Sequence, residues 1–247
     1  MRPSFRRLIS LWGNFAEVLL YPSSCEICRV FLEKPDEKVI CRSCWDKIKP
    51  WPASLCLCCG RFFEGVGEPH LCGTCLERVP PFSKHRSCAR YEGILKDVIL
   101  LYKYRGFEIL GQYLGDFVGQ TLGAEQDVWS GVDALIPVPL HPAKEKKRGF
   151  NQAQVLAKRL AKIKNIELLE RRLVKVKNVP PQTTLKAEER ARNVRGAFKV
   201  KKPEKLEGKV VLLVDDVYTT GSTLRECSSV LRKAGVREVR AVTVAQA

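Results

Sequence analysis

The chain has 247 residues, of which 45% are hydrophobic, enough for a sizeable core in two unequal domains. No apolar run approaches the length that spans a bilayer, so the sequence predicts a cytoplasmic protein without a transmembrane segment. The formal net charge is +16, and residues 144–209 carry most of it, with 21 Lys and Arg against 7 Asp and Glu. A solvated surface, a polyphosphate substrate and a nucleic acid are all open as reasons for this charge.

Residues 1–21 are predicted to form an amphipathic helix. Arginines precede an apolar stretch, as in a signal peptide, but Asn14 and Glu17 interrupt it and no small-residue cleavage site follows. The apolar residues between Phe5 and Leu20 recur at helical spacing. We expect a helix docked on the protein, with peripheral binding at the inner face of the membrane as the alternative.

Residues 22–80 are predicted to form a double zinc ribbon. Eleven cysteines without a secretory signal favour metal ligation over disulfides. Eight of them form four C-x-x-C pairs, and twelve residues separate the inner cysteines in both halves, which indicates an internal duplication. The predicted ligands are Cys25, Cys28, Cys41, Cys44, Cys56, Cys59, Cys72 and Cys75.

The pairing of these ligands is open at the level of sequence. Sequential use gives one ion per half, whereas interleaved use and loss of one site are alternatives, and Cys58 could replace Cys59. The expected cofactor is therefore one or two Zn²⁺ ions. A site closed by four thiolates has no vacant position, so its role is structural. Cys88 and Cys227 are interpreted as small buried hydrophobes.

Residues 81–247 are predicted to form a third region of the α/β class. Helices are expected from Ile94 to an end at Gly106, then at 107–122, 151–163 and 222–234. Strands are expected at 134–140, 168–176, 209–214 and 236–245, with a long basic loop at 177–195. Strands that alternate with helices predict a mainly parallel sheet flanked by helices.

The segment Val210–Thr223, VVLLVDDVYTTGST, is the most informative stretch for function. Its apolar start predicts a strand buried on both faces, so Asp215 and Asp216 fall at the carboxyl end of the sheet, where such folds bind ligands. Thr219–Thr223 supplies backbone N–H groups and hydroxyls at the start of a helix, which suits a phosphate. P-loop and dinucleotide-binding patterns are absent from the sequence.

This segment closely resembles the phosphoribosyl pyrophosphate signature of type I phosphoribosyltransferases. The resemblance implies that Asp215 and Asp216 hold the ribose 2′- and 3′-hydroxyls and that the following loop wraps the 5′-phosphate. The implied substrate-binding residues of the segment are Val217, Tyr218, Thr219, Thr220, Gly221, Ser222 and Thr223.

Two further loops are expected to meet the signature at the same sheet edge. Pro137–Asn151 carries Lys147, Arg148 and Gly149, a cationic group suited to pyrophosphate, although a solvent-exposed basic loop is the simpler alternative. Pro181–Phe198 is long enough to form a lid. Its candidate ligand contacts are Gln182, Arg190 and Asn193, and an exposed loop with a short helix is the alternative.

The order of motifs along almost the whole chain resembles the ComF family. Besides the cysteine pairs and the signature, the resemblance rests on Tyr91-Glu92-Gly93, Lys103-Tyr104-Arg105-Gly106, Ile136-Pro137-Val138-Pro139-Leu140, Arg148-Gly149-Phe150-Asn151-Gln152 and Gln182 with Arg190 and Asn193. It implies a zinc-ribbon module joined to a type I phosphoribosyltransferase-like domain, and adds Lys103 as an anion-site candidate. Bacterial members include competence proteins linked to uptake of single-stranded DNA and proteins named for gluconate utilisation.

Two functions from different classes follow. The first is a phosphoribosyltransferase that binds phosphoribosyl pyrophosphate with Mg²⁺, with catalytic Asp215, Asp216 and Arg148 and an unassigned acceptor. The second is a non-catalytic sensor of a sugar phosphate or nucleotide, with single-stranded DNA and a competence helicase as candidate partners. Aromatic residues near the cysteines would stack on bases or fill the small ribbon cores; they are Trp45, Trp51, Phe62 and Phe63.

Overall fold

A computed structural model describes residues 24–32, 34, 37–51, 54–64, 67–178 and 194–247. The predicted helix at 1–21 lies outside the described residues, as do Gln182, Arg190 and Asn193. The chain divides into two compact units, Met1–Lys49 and Pro50–Ala247. Within the described ranges, no helix has both the length and the apolar character needed to cross a bilayer.

The described helices and strands occur in both units. The helices are α1 (Arg42–Trp45), α2 (Gly73–Glu77), α3 (Gly93–Tyr104), α4 (Leu110–Thr121), α5 (Gln126–Trp129), α6 (Pro142–Arg148), α7 (Gln152–Lys164) and α8 (Ser222–Lys233), with a 3₁₀ turn at Pro203–Lys205. The strands are β1 (Lys84–Arg90), β2 (Ala134–Pro137), β3 (Glu167–Leu168), β4 (Leu173–Lys175), β5 (Phe198–Val200), β6 (Val210–Tyr218) and β7 (Glu238–Gln246).

The second unit is built on a five-stranded sheet in the order β1-β7-β6-β2-β3. Every neighbouring pair in this sheet is parallel. From β2 the chain passes through α7 to β3, towards the β3 edge of the sheet. From β6 it passes through α8 to β7, towards the opposite, β1 edge. Because such crossovers are right-handed, α7 and α8 lie on opposite faces of the sheet. The predicted α/β fold with a parallel sheet is confirmed.

Strand β6 is the central strand of the five-stranded sheet. Val210–Val214 is buried along its whole length, because both faces of a parallel sheet are covered by helices. The strand continues beyond the predicted end at residue 214: Asp215 pairs with Thr243 and Tyr218 with Gln246 on β7. The predicted end of the strand is therefore wrong. Asp215 and Asp216 lie within the carboxyl-terminal part of β6 rather than after the strand.

Several other boundaries differ from the sequence-based expectation. The loop at 137–151 contains the helix α6, which His141 caps by accepting a hydrogen bond from the Ala143 amide. The strand expected at 168–176 is divided between two strands. Strand β3 belongs to the main sheet, whereas β4 pairs with β5 in a separate two-stranded antiparallel sheet. The edge strand β1 was not predicted.

The two ribbons repeat the same local backbone. Each cysteine ligand of the second follows its counterpart in the first by 31 residues, and the isolated bridges Ser24–Phe31 and Leu55–Phe62 obey the same offset. At one pair of equivalent positions, Arg29 and Gly60, the φ angles are 63° and 64°. The predicted duplication is thus present in the backbone as well as in the cysteine spacing.

The second ribbon packs against the sheet within its own unit. The His85 amide of β1 donates to the Cys58 carbonyl, and the Trp51 amide donates to the Cys88 carbonyl. Gln246, at the end of β7, donates to the Gly60 carbonyl and accepts from the Phe62 amide. The ribbon therefore covers the exposed side of β1, which would otherwise be an unprotected sheet edge.

Candidate functional site

Two groups of four cysteines have the geometry of closed zinc sites. The sulfur atoms of Cys25, Cys28, Cys41 and Cys44 all lie within 4.8 Å of one another, and so do those of Cys56, Cys59, Cys72 and Cys75. Tetrahedral ligation at a Zn–S length of about 2.3 Å places neighbouring sulfurs about 3.8 Å apart. The Sγ–Sγ distances are 3.9 Å for Cys25–Cys44, 3.6 Å for Cys28–Cys41 and 3.7 Å for Cys59–Cys72. The residues fit zinc, used sequentially along the chain.

Neither Cys58 nor His70 belongs to these groups. The Cys58 sulfur lies 3.8 Å from the Phe82 carbonyl, on the side of the sheet. His70 stacks on Phe63 with ring centroids 4.2 Å apart and is exposed. Each zinc site is therefore complete with four thiolates and leaves no position for a reacting group.

Metal content is expected to separate two neighbouring thiols. The wild-type chain should hold about two zinc ions, because eight thiolates fill two tetrahedral sites, and Cys59→Ser should hold about one. Cys58→Ser is the matched control and should keep both ions, since its sulfur faces a carbonyl. Elemental analysis after gel filtration measures this; loss of an ion from the control would refute the assignment.

A polar cleft lies where the ends of β2 and β6 diverge. Because crossovers leave these two adjacent strands in opposite directions, the gap between them is the topological switch point, where open α/β sheets bind ligands. The cleft measures about 200 Å³. We call it the switch-point cleft; its charged and hydroxyl lining is Lys103, Lys144, Arg148, Lys175, Asp215, Asp216 and Thr223.

Lys103 and Asp216 form a buried ion pair across this cleft. Lys103, in the last turn of α3, places Nζ 2.7 Å from Asp216 Oδ1, and the side chains are only 15% and 12% exposed. Burial alone would lower the pKa of Lys103, but the charge of Asp216 outweighs it and the pKa is raised. Lys103 therefore stays protonated and holds the Asp216 carboxylate in one orientation.

Asp215 has a different environment from its neighbour. Its Oδ1 accepts a hydrogen bond from the Asp216 amide at 2.9 Å. Burial, together with the negative charge of Asp216, raises the pKa of Asp215 to about 7. The free site thus holds one carboxylate fixed by Lys103 and one carboxyl group that is about half protonated at pH 7.

The raised pKa predicts a pH-dependent effect of Asp215→Asn. An acid whose pKa rises on folding stabilises the folded chain only at low pH, and that contribution is lost as the pH rises from about 4 to about 7. The free energy of unfolding of Asp215→Asn, relative to that of the wild type, should therefore increase between pH about 4 and about 7. Above pH about 7 the difference should be constant. Thermal unfolding of both chains from pH 4 to 8 tests this; a difference independent of pH would contradict it.

Three further cations, Lys144, Arg148 and Lys175, line the same cleft as the carboxylates. Arg148 is fixed by a hydrogen bond from Nη1 to Gln152 Oε1 at 2.9 Å, and its guanidinium lies 5.2 Å from the centre of the Tyr104 ring. Burial lowers the pKa of both Lys144 and Lys175, and the neighbouring charge of Arg148 adds to the effect at Lys144. Uncompensated positive charge in a confined cleft favours a polyanionic ligand.

Gln152 supplies an unsatisfied donor at the same place. The residue is 1% exposed, lines the switch-point cleft, and its Nε2 has no hydrogen-bond partner among the described residues. A buried amide nitrogen without a partner is costly unless a ligand or water accepts its hydrogen bond. This side chain therefore points to an acceptor group on the bound molecule.

The loop after β6 forms the start of α8, a helix of twelve residues. Gly221 adopts φ +73°, a left-handed conformation that turns the chain into the helix. The Thr220 and Ser222 hydroxyl oxygens lie 2.9 Å apart. The first amides of α8 have no partners within the helix and suit an anion, although the Ser222 amide makes a long hydrogen bond of 3.5 Å to the Thr220 hydroxyl oxygen.

A second cleft of about 230 Å³ lies on the other side of this loop. We call it the ribbon cleft, because the second ribbon contributes Arg61, Phe62 and Thr74 to its lining. Arg90 and Arg225 also line it, together with Thr219 and Thr220 of the loop. Its guanidinium groups indicate a second anion-binding surface next to the switch-point cleft.

Most of the described substrate-site residues that the sequence predicted line one of these two clefts, whereas Gly149, Gly221 and Ser222 line neither. The switch-point cleft is lined by Lys103, Arg148, Asp215, Asp216, Val217 and Thr223. The ribbon cleft is lined by Tyr218, Thr219 and Thr220. Lys147 is exposed on α6 and lines neither cleft, whereas Lys144, one turn earlier, faces the ligand space. Sequence analysis missed Lys175 and Gln152 as site residues; only Gln152, beside the helix-capping Asn151, carried a local signal.

Comparisons with known proteins agree with this arrangement. The model of the phosphoribosyl transferase domain matches residues 146–247, and that of the double zinc ribbon domain matches residues 17–76. Competence protein ComFC of Bacillus subtilis is 30% identical over 210 residues, 83% of this chain and 82% of that protein. Competence protein F of Haemophilus influenzae is 40% identical over 117 residues, and DNA utilization protein YhgH of Escherichia coli K12 is 32% identical over 108 residues.

The fold and the sites define a protein that joins two zinc ribbons to a phosphoribosyltransferase-type domain. The chain belongs to the ComF family of competence proteins, as its match along most of the Bacillus protein shows. Coverage of the other two relatives is partial: the match spans 51% of the Haemophilus protein and 47% of the Escherichia protein. The predicted family is confirmed.

Proposed function

We propose that this protein binds phosphoribosyl pyrophosphate together with Mg²⁺ and transfers the phosphoribosyl group to an acceptor not yet identified. The observation that carries the proposal is the switch-point cleft, which joins the acidic pair, Thr223 at the start of α8 and three cations. A sugar with a phosphate at one end and a pyrophosphate at the other needs these three features together.

Each part of the donor has a matching group in the cleft. The Asp215 and Asp216 carboxylates accept hydrogen bonds from the ribose 2′- and 3′-hydroxyls. Gly221–Thr223 binds the 5′-phosphate through backbone N–H groups and hydroxyls. Arg148, Lys144 and Lys175 hold the pyrophosphate, with the Gln152 amide as a further donor.

Transfer breaks the bond from C1′ to the pyrophosphate oxygen, which keeps the electron pair. The acceptor supplies the pair for the new bond at C1′. The cations stabilise the negative charge that grows on the leaving pyrophosphate, and Asp215 and Asp216 offset the positive charge that develops on the ribose. Bound Mg²⁺ would add further neutralisation of the pyrophosphate, and carboxylate oxygens beside a polyphosphate suit this ion.

We propose that this activity serves DNA uptake, a role that the names of the relatives support. Two are called competence proteins and one a DNA utilization protein. We place the protein in the cytoplasm, at the inner face of the membrane, with incoming single-stranded DNA and a competence helicase as partners.

Calorimetry and a product assay test the enzyme proposal separately. Phosphoribosyl pyrophosphate titrated with and without Mg²⁺ should bind in both cases and more tightly with the metal. Pyrophosphate release across a panel of nucleobases and amines then identifies the acceptor. Binding without release over the whole panel would favour a sensor, and absence of binding would refute the assignment of the site.

The ribbon cleft favours a second candidate function, binding of single-stranded DNA without catalysis. Arg90 lies 4.2 Å from the centre of the Trp51 ring, and Trp51 stacks on Phe62 with centroids 4.8 Å apart. These contacts occupy Trp51, and Arg90 also pairs with Glu64. Arg61 and Arg225 are therefore the cleft's groups for phosphates, and Phe62 is its ring for a base.

Anisotropy with a labelled oligothymidylate tests this candidate. Arg61→Gln/Arg225→Gln should weaken binding and flatten its dependence on salt, because two phosphate contacts are lost. Lys201→Gln/Lys202→Gln removes the same charge from exposed positions and should have a smaller effect. Equal losses in the two variants would indicate attraction by net charge alone.

A further inference from the structure

The second zinc ribbon contacts the sheet through a zinc-ligand residue. His85, on β1, is fully buried, and its Nδ1 lies 2.8 Å from the carbonyl oxygen of Cys59. A carbonyl only accepts, so Nδ1–H donates this hydrogen bond. The other ring nitrogen, Nε2, lies 3.0 Å from the Thr243 hydroxyl and 3.3 Å from the Ser87 hydroxyl, and one of these two hydroxyls donates to it. The carbonyl acceptor at Nδ1 fixes this tautomer of the ring.

The His85 ring is in turn stacked on Tyr218. The ring centroids are 4.2 Å apart and the planes are inclined by 20°. Tyr218 is the last residue of β6, directly before the loop assigned to the phosphate. Its side chain lines the ribbon cleft rather than the switch-point cleft, and it lies between the ribbon and the loop.

Tyr218 supports the loop at its tightest point. A Cβ atom added to Gly221 would lie 2.4 Å from the Tyr218 hydroxyl oxygen and 2.7 Å from the ring carbon that carries it. The phenol ring thus packs directly against the Gly221 backbone. Direct contacts connect the Cys59 carbonyl, His85, Tyr218 and Gly221 without a gap.

A second connection brings the ribbon to the same residue. Gln246 pairs with Tyr218 in the sheet register, and its side-chain amide bonds with both Gly60 and Phe62 of the ribbon. The position of Tyr218 therefore depends on the ribbon through its ring and through its strand neighbour. A displaced ribbon would disturb both.

We propose that the four-cysteine site of the second ribbon sets the geometry of the phosphate loop, with His85 and Tyr218 as positioning residues between them. The metal holds the Cys56–Cys59 turn and hence the direction of the Cys59 carbonyl; without it the ribbon has little core of its own. Loss of this metal loosens Gly221–Thr223. The identity of the ligand rests on the proposed function, but the effect on the loop does not.

Hydrogen exchange measures the loop without any ligand. Cys72→Ser/Cys75→Ser removes the second metal while keeping Cys59, and Cys41→Ser/Cys44→Ser is the equivalent change in the first ribbon, in the other compact unit. Amide exchange in a peptide covering 219–224 should accelerate about tenfold or more in the first variant and stay at the wild-type rate in the second. Equal exchange in both variants would overturn the proposal.

A second set of variants keeps both metals. His85→Ala should retain about two zinc ions and still accelerate loop exchange and weaken ribose 5-phosphate binding, each about tenfold, because a hydrogen bond and a ring stack are lost. His85→Asn, whose amide can donate to the Cys59 carbonyl, should restore part of the effect. His70→Ala removes a stacked but exposed histidine of the same ribbon and should change neither measurement.

The outcomes separate the two proposals. Wild-type exchange in His85→Ala with both metals retained would overturn the positioning role. Faster exchange in a protein whose wild type binds neither ribose 5-phosphate nor phosphoribosyl pyrophosphate would support the positioning role and refute the proposed function.

Discussion

Exchange of Asp215 and Asp216 for asparagine in one chain is expected to weaken binding of phosphoribosyl pyrophosphate with Mg²⁺ at least about a hundredfold. Each carboxylate loses a charge-assisted hydrogen bond to a ribose hydroxyl, and one such bond is worth about 1.5–3 kcal/mol. The change also leaves the ammonium of Lys103, which lies 2.7 Å from Asp216, without its partner. Isothermal titration of the variant and the wild type measures the loss.

Two controls make this result specific. Asp46→Asn removes one carboxylate in the other compact unit and should leave affinity at the wild-type value. Adding Lys103→Gln to the double variant removes the unpaired buried charge and should recover stability but not binding. Equal affinities of wild type and double variant would exclude the acidic pair from the ribose site.

Gly221→Ala is expected to damage the phosphate loop and the fold together. Alanine at φ +73° is strained, and its Cβ would approach the Tyr218 hydroxyl to 2.4 Å, so Tyr218 or the loop must move. Strain of this kind costs about 1–3 kcal/mol. We expect a loss of stability in that range and at least about tenfold weaker binding of ribose 5-phosphate, which corresponds to about 1.4 kcal/mol.

Gly208→Ala is the matched control for this substitution. Gly208 has nearly the same backbone angle, φ +71°, but nothing lies within 4 Å of its added Cβ. The control therefore reports the cost of the left-handed conformation alone, about 1–2 kcal/mol. Denaturant unfolding and calorimetry on both variants give the comparison. Equal stability losses, with ribose 5-phosphate binding intact in both variants, would show that the contact with Tyr218 contributes neither to stability nor to binding.

The sequence predicted the elements whose signal is local. The unbroken apolar run of β6 and the helical spacing of apolar residues in α3, α4 and α7 located the main layers of the second unit. Cysteine spacing predicted both metal sites, because two thiolates three residues apart at a turn define half of a tetrahedron. These features depend on neighbours within one strand, helix or turn.

The features that were missed depend on tertiary contacts. Strand β1, KHRSCAR, reads as polar, yet His85, Arg86 and Ser87 are buried because the second ribbon covers them. Helix α6 has no apolar face to give a periodic signal, since none of its residues is buried. Lys175 reaches the switch-point cleft from a short strand outside every motif.

The duplicated ribbon has two copies with different freedom to change over evolutionary time. Arg29 and Gly60 share a left-handed φ, but a side chain at position 60 would come within 2.4 Å of the His85 carbonyl oxygen, whereas the Arg29 side chain is largely in solvent. Beyond the eight cysteines, substitutions should therefore accumulate faster in the first copy than at matching positions of the second. Relatives would then differ mainly in the surface that the first copy presents.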